Sequence, residues 1–131
     1  MRERNDFLDF NTFLREQMEC DVKDMPYIVT HSWYPTHKIP EVVKRYFEVI
    51  EKFPHDEKLS ELVVPVSVKA TERGIASIGI ELAKDGKLEE AFARRTKAMI
   101  MYHDIEGYEY SVEIQNTVGE ALALTGMGKS D

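Results

Sequence analysis

The sequence predicts a small α+β domain in which strands and helices follow one another in the order β-α-β-β-α-β. Three stretches, at residues 27–34, 62–82 and 108–115, are rich in β-branched or aromatic residues or alternate between apolar and polar ones. Two segments between them repeat apolar residues every three or four positions, as amphipathic helices do. With 131 residues, the chain is long enough to bury a core of its own.

Prolines bound the first strand and the first helix. The strand covers YIVTHSWY at residues 27–34 and stops at Pro35. Pro40 suits the first turn of a helix, where its missing N–H costs nothing, and Pro54 ends that helix. One apolar stripe is predicted on the helix, formed by Val43, Tyr46, Phe47, Ile50 and Phe53.

A hairpin is predicted over residues 62–71 and 75–82, and sorting apolar from polar side chains selects its register. A three-residue loop, 72–74, achieves the sorting and places Gly74 where a left-handed residue is needed. The apolar face then pairs Val68 with Ile78, Val66 with Ile80 and Val64 with Leu82. The other face pairs Lys69 with Ser77, Ser67 with Gly79 and Pro65 with Glu81.

The C-terminal half is predicted to contain a helix, a strand and a second, shorter helix. The first helix runs from about Lys87 to Glu106, and the half-buried strand covers residues 108–115. Thr117 and Glu120 have the spacing of a capping box, which predicts that a short helix begins there.

The chain divides into an N-terminal extension, residues 1–24, and a domain, residues 25–131. Within the extension, residues 5–22 read as an amphipathic helix, because four large apolar residues recur at helical spacing. These residues are Phe7, Phe10, Leu14 and Met18. Because a free helix of this length is marginal in water, we expect it to pack on the domain or on a partner.

The predicted element order is the split β-α-β arrangement of ferredoxin-like folds. Right-handed crossovers then place both helices on one face of a four-stranded antiparallel sheet. With its opening YIVTHSWYP and this plan over residues 25–117, the chain resembles small proteins of the dimeric α/β-barrel superfamily. The resemblance implies a homodimer in which two sheets face each other, in a superfamily that includes cofactor-free monooxygenases and lactone isomerases. No catalytic motif of the superfamily matches, so the resemblance assigns no site residue.

Charge and composition exclude several classes of function. The formal net charge of −7 argues against a phosphate-binding nucleic-acid surface and against attraction to an anionic membrane. Cys20 is the only cysteine, which excludes an intrachain disulfide and favours a cytoplasmic location. No nucleotide-binding or metal-binding motif is present. We therefore expect no cofactor, no metal, no nucleic-acid partner and no membrane association.

The polar face of the sheet is the first place to expect chemistry. The hairpin register and the last strand assign eight polar residues to it: Ser67, Lys69, Ser77, Glu81, Glu109, Ser111, Glu113 and Gln115. Carboxylates beside a lysine can act as acid and base, and three glutamates near a histidine can hold a divalent metal. The alternative is a hydrated face without chemistry, because alternating polar residues are typical of any one-sided antiparallel sheet.

His31 has two interpretations that depend on which face of the first strand is buried. If the set Tyr27, Val29, His31 and Trp33 lies under the helices, His31 is a core histidine. If the alternate set lies there, His31 joins the carboxylates and is a credible base or ligand. With the aromatic end of this strand, the ligand-binding candidates are His31, Trp33, Tyr34, Lys69, Glu81 and Glu113.

Two further groups of charged residues are interpreted as solvated. His37, His55 and His103 fall at helix ends or in loops. The basic stretch Arg94, Arg95 and Lys97 follows two glutamates and is typical of an exposed helix face.

Three classes of function remain: a protein that binds a small organic molecule, a cofactor-free enzyme of the monooxygenase or isomerase type, and a structural or interaction module. The sequence favours the first. It also predicts a homodimer, because the uncovered sheet face is expected to carry Val63, Pro65 and Ile75 among its polar residues.

Overall fold

The computed structural model describes residues 25–126, and the predicted helix over residues 5–22 lies outside them. The elements in chain order are β1 (Tyr27–Tyr34), α1 (Ile39–Lys52), β2 (Ser60–Thr71), β3 (Gly74–Ala83), α2 (Leu88–Ile100), β4 (Glu109–Gln115) and α3 (Val118–Thr125). A short 3-10 turn, Thr36–Lys38, leads into α1. Over these residues, no helix is both long and apolar enough to cross a membrane.

The four strands form one antiparallel sheet in the order β2-β3-β1-β4. The predicted α+β class, with a four-stranded antiparallel sheet, is therefore confirmed. The predicted signals for helix starts are also confirmed. Pro40 lies in the first turn of α1, and Thr117 and Glu120 form the capping box of α3.

The sheet has an inner face, against which α1 and α2 pack, and an outer face. In β1, Ile28 and Tyr34 contact the two core clusters, so the even-numbered side chains point inward. His31 and Trp33 therefore lie on the outer face, which decides between the two interpretations of β1. The β3 residues directly opposite in register follow the same rule, so Ile78 lies beside His31 on the outer face.

The predicted hairpin register is wrong. The turn contains two residues, Glu72 and Arg73, so Lys69 pairs with Ala76 instead of Ser77. The prediction assumed that all apolar side chains of the hairpin share one face. In the structure, Ile78 and Ile80 face outward with Val29 and His31, because β3 takes its register from β1 as well as from β2.

Strand β2 also departs from a uniform ladder. Its register shifts twice, between Leu62 and Val64 and again between Val64 and Ser67. Pro65 lies within the second shift, where its missing N–H leaves no ladder hydrogen bond unmade. Ile75, which had been predicted on the outer face, pairs with the inward Tyr34 and lies toward the helices.

The core lies between the inner face and the helices in two clusters. One joins Val42 and Val49 of α1 to Met99, Tyr102 and Ile105. The other joins Ile28, Ala83 and Ala91. Val112 of β4 packs against both clusters and connects them.

The apolar stripe predicted for α1 is displaced in the structure. Val42 and Val49 are its buried residues, whereas Val43, Phe47 and Ile50 are exposed, Phe47 to 60%. Helical periodicity identified the amphipathic helix but not the strip of it that reaches the core.

Helix α2 ends at Ile100, six residues before the predicted end, and a series of tight turns follows. Arg45 of α1 holds these turns. Its Nη1 donates to the Met101 carbonyl oxygen and, at 2.6 Å, to Oδ1 of Asp104. The pair lowers the pKa of Asp104 through the hydrogen bond from Arg45.

Replacing Gly74 with alanine should lower the stability of the domain by at least about 2 kcal/mol. Gly74 has φ +134°, and a Cβ there would collide with the carbonyl oxygen of Tyr34. Gly86→Ala is the matched control, because Gly86 also has a positive φ but has nothing within 4 Å of its Cβ position. Urea denaturation of the two variants measures the difference; equal losses would show that the approach to Tyr34 imposes no constraint.

Candidate functional site

A cleft of about 290 Å³ lies between α1 and the inner face of the sheet. Its floor is formed by Thr30, Ser32, Ser77 and Gly79 of the two central strands. Most of its walls are apolar, with Val43, Tyr46 and Ile50 from α1 and Val64, Val66 and Val68 from the edge strand β2. Ligand sites in proteins are typically such concave, mainly apolar spaces with a few polar groups.

The mouth of the cleft carries most of the exposed apolar surface of α1 and β2. Val68 is 62% exposed, and Val43, Ile50 and Val66 are each a little under half exposed. Grouped exposed apolar residues usually mark a place where something binds. The displaced stripe of α1 therefore forms the roof of the cleft instead of part of the core.

Glu81 is the buried polar group of the cleft wall, with 5% of its surface exposed. Its Oε2 accepts a hydrogen bond from Nε of Arg95 at 2.6 Å, and its Oε1 accepts one from the Ser60 hydroxyl at 2.7 Å. Both carboxylate oxygens are thus bonded, as the burial of a charged group requires. The ion pair joins β3 to α2 across one end of the cleft.

His55 connects this carboxylate to the protein surface. Its Nε2 lies 3.4 Å from Oγ of Ser60. Because the Ser60 hydroxyl proton is used in the bond to Glu81, Nε2 must carry the proton that it shares with Oγ. A second cavity of about 30 Å³, room for one water molecule, is lined by His55, Ser60, Glu81 and Arg95. Glu81 therefore contacts two spaces, the mainly apolar cleft and this small second cavity.

Three tyrosines stack at the other end of the cleft. The ring of Tyr108 lies 4.5 Å from that of Tyr102 and 5.6 Å from that of Tyr34, both nearly parallel to it. The Tyr108 hydroxyl donates to Oγ of Ser32 at 2.9 Å. Burial raises the pKa values of all three phenols, that of Tyr108 to about 12, so they stay neutral hydrogen-bond donors at neutral pH.

The six ligand-binding candidates divide between the two faces. Tyr34 and Glu81 line the cleft. The other four, His31, Trp33, Lys69 and Glu113, lie on the outer face. The predicted polar face is thus wrong in two members, since Ser77 and Glu81 point inward while its other six residues point outward. The cause is the register, which turns these two side chains of β3 toward the helices.

The outer-face candidates do not form a common site. His31 stacks on Trp33 with 5.8 Å between ring centroids, and Lys69 lies two strands away from Trp33. Glu113 pairs with Val29 and accepts a hydrogen bond from Ser111. Among the residues that the structure describes, no three His, Cys, Asp or Glu side chains converge as metal ligands.

Sequence reasoning missed Arg95, His55 and Ser60, all of which belong to the cleft end. Arg95 was interpreted as solvated, yet it lies on the same helical face as Ala91, Ala98 and Met99, which are buried. The position of a charged residue within an apolar stripe was therefore a signal in the sequence that Arg95 is partly buried. No local signal marked Ser60 or His55, because their roles depend on a strand partner 21 residues away.

Stability should fall as pH rises from about 10 to about 12. The folded pKa of Tyr108 is above the value of about 10 in the unfolded chain, so the unfolded state loses its proton first. The stabilisation of the folded state by its neutral tyrosine is complete below pH ~10. It is lost as pH rises through the folded pKa, and the free energy of unfolding then falls by up to about 1.4 kcal/mol per pH unit for each buried tyrosine. Denaturant titrations across this pH range measure the free energy of unfolding of the wild type and of Tyr108→Phe. Identical slopes of that free energy against pH in the two proteins would contradict the prediction.

No protein-family profile matches the chain, and no curated protein sequence matches it. Among solved structures, it is similar to the de novo designed protein Foldit4, with 15% identity over 71% of this chain and 97% of the other at a TM-score of 0.41. A formyltetrahydrofolate deformylase from Pseudomonas putida KT2440 is 11% identical over 67% of this chain, with a TM-score of 0.39; the match spans 28% of the deformylase. A nipsnap family protein of unknown function from Agrobacterium tumefaciens is 15% identical over 71% of this chain and 90% of its own, with a TM-score of 0.32. TM-scores this low do not establish a shared function.

Proposed function

We propose that this protein binds a small, mainly apolar organic molecule in the cleft between α1 and the sheet. The observation that carries the proposal is the combination of apolar walls with one polar end at Glu81 and Arg95. Apolar walls supply most of the binding free energy, while a few placed polar groups orient the ligand. The volume is near the lower limit of ligand pockets, roughly 300 Å³, which favours a compact, ring-sized ligand.

The same proposal includes the fold family and the domain division. The sheet order β2-β3-β1-β4, with β1 and β3 at its centre, supports a ferredoxin-like domain over residues 25–131 that follows an extension over residues 1–24. We assign no cofactor to it and place it in the cytoplasm, where a chain with one cysteine needs no disulfide.

A cofactor-free enzyme of the isomerase or monooxygenase type is the second candidate function. It is favoured by one observation, the ordered series of hydrogen bonds from His55 through Ser60 to Glu81. An interaction module is less well supported, because an open cleft replaces the packed interior that such a module would have.

The outer face is the proposed homodimer interface. Trp33 is 46% exposed there, His31 stacks on it, and the half-buried Ile78 and Ile80 lie on the same face. A two-fold dimer makes such a patch cover its own copy. This patch replaces the one predicted from Val63, Pro65 and Ile75, and it excludes Glu81 from the interface.

Ser77→Leu should weaken ligand binding at least about tenfold, because the added isobutyl group fills the floor of the cleft. Ser67→Leu is the matched control, since Ser67 lies on the neighbouring strand but faces outward. β-Tetralone and β-naphthol, two compact bicyclic probes, are titrated by ligand-observed NMR. Equal affinities in the two variants would place binding elsewhere.

Trp33→Glu should convert the dimer into monomers, because a carboxylate would be desolvated on both sides of the two-fold interface. Sedimentation should then show a species of 15.2 kDa, whereas the wild type is expected at twice that mass. Phe47→Glu, an exposed aromatic on α1, is the control and should remain dimeric. A monomeric wild type contradicts the proposed interface.

A further inference from the structure

We propose that the cleft catalyses proton transfer at a carbon atom next to a carbonyl group, with Glu81 as the general base. The substrate class is a compact apolar ketone, ester or lactone. The proposal rests on ligand binding in the cleft and adds a chemical step to it.

The position of Glu81 is the first reason. Its carboxylate is at the wall of an apolar space, held by Ser60 and Arg95 at 2.7 and 2.6 Å. A base positioned by two hydrogen bonds presents its remaining lone pairs in fixed directions. Water is largely displaced from such a space by a bound apolar ligand, and electrostatic interactions within it become stronger.

Arg95 is the second reason, because proton abstraction beside a carbonyl creates negative charge on the carbonyl oxygen. The bond to Glu81 uses only Nε, and no other side chain over residues 25–126 accepts a hydrogen bond from the guanidinium. The remaining N–H groups can therefore donate to the enolate oxygen. Base and oxyanion donor are adjacent on one wall, which the chemistry requires.

The third reason is a route by which the base exchanges its proton. Ser60 bridges Glu81 to His55, and His55 is exposed to solvent. A carboxyl group sealed in an apolar site would keep the substrate proton. Here the protonated Glu81 can donate to Oγ of Ser60, and the Ser60 hydroxyl can then turn to donate to Nε2 of His55 in its other tautomer, whose Nδ1 exchanges protons with water. A Glu–Arg pair with a purely structural role needs no such connection.

The step balances without an oxidant or a cofactor. The C–H bond breaks, its proton moves to a carboxylate oxygen of Glu81, and the electron pair is delocalised onto the carbonyl oxygen as an enolate held by Arg95. Return of a proton to the same carbon gives isotope exchange. Return to the far carbon of a conjugated enolate moves a double bond, which is an isomerisation.

The test is deuterium exchange at the α-carbon of β-tetralone in D₂O, followed by NMR with the full chain. Exchange should exceed the buffer rate, and Glu81→Gln should lower it by about 100-fold or more. Glu113→Gln, the same change on the outer face, should leave it unaltered. Affinity for the ketone should persist in Glu81→Gln, which separates loss of the base from loss of the site.

His55→Ala supplies a second variant at an exposed position, where unfolding is not expected. Exchange should fall about tenfold and recover when imidazole is added, because free imidazole can replace the missing proton carrier. Binding of β-tetralone without exchange overturns the catalytic proposal and leaves the binding function intact. Absence of binding by both bicyclic probes overturns the binding function and the catalytic step with it. Exchange that is unchanged in both variants assigns the base elsewhere and also overturns the proposal.

Discussion

The burial of one carboxylate, Glu81, is the constraint on which the rest of the site depends. Removing a charge from water costs several kcal/mol, and this cost is offset only if partners are present in good geometry. Arg95 and Ser60 supply them, one from α2 and one from the start of β2. Three consecutive elements, β2, β3 and α2, are thereby held together at one end of the cleft. Loss of either partner would leave a charge with unfilled hydrogen-bonding capacity in the interior.

The cleft exists because α1 contributes only part of its apolar surface to the core. Val42 and Val49 reach the core, while Val43, Tyr46 and Ile50 stand over the open floor. Small floor residues, among them Gly79 and Ser77, leave the space unfilled. A stable protein usually fills such a volume, since unfilled apolar space forfeits dispersion contacts. Retaining it is consistent with a ligand that restores those contacts.

The two faces of the sheet separate the two proposed activities. The inner face provides the cleft, with its buried ion pair and its stack of tyrosines. The outer face carries the exposed Trp33 and its stacked neighbour His31. Because successive side chains of a strand point to opposite sides, one strand, β1, serves both. Association through the outer face therefore leaves the cleft open.

Local sequence signals determined the class and order of the elements. Proline positions, helical spacing and the capping box act over a few residues, and the bounds of β1, α1 and α3 follow from them. The end of α2 does not, since Arg45 of another element binds the turns that follow it. The bounds that could be predicted depend on residues close in sequence, whereas the end of α2 involves a contact with a distant residue.

Tertiary structure alone decided the faces of the sheet and the site. Both faces carry apolar residues, Ile28 and Tyr34 on one and Val29 and Ile78 on the other, so a period of two gives no preference. Two register shifts, the second of which includes Pro65, then change the pairing within β2. Glu81 could be chosen from the sequence as a candidate, but its partner Arg95 is 14 residues away on a helix. Which charges meet depends on how the helix packs on the sheet, and that is fixed by the whole core and not by any local pattern.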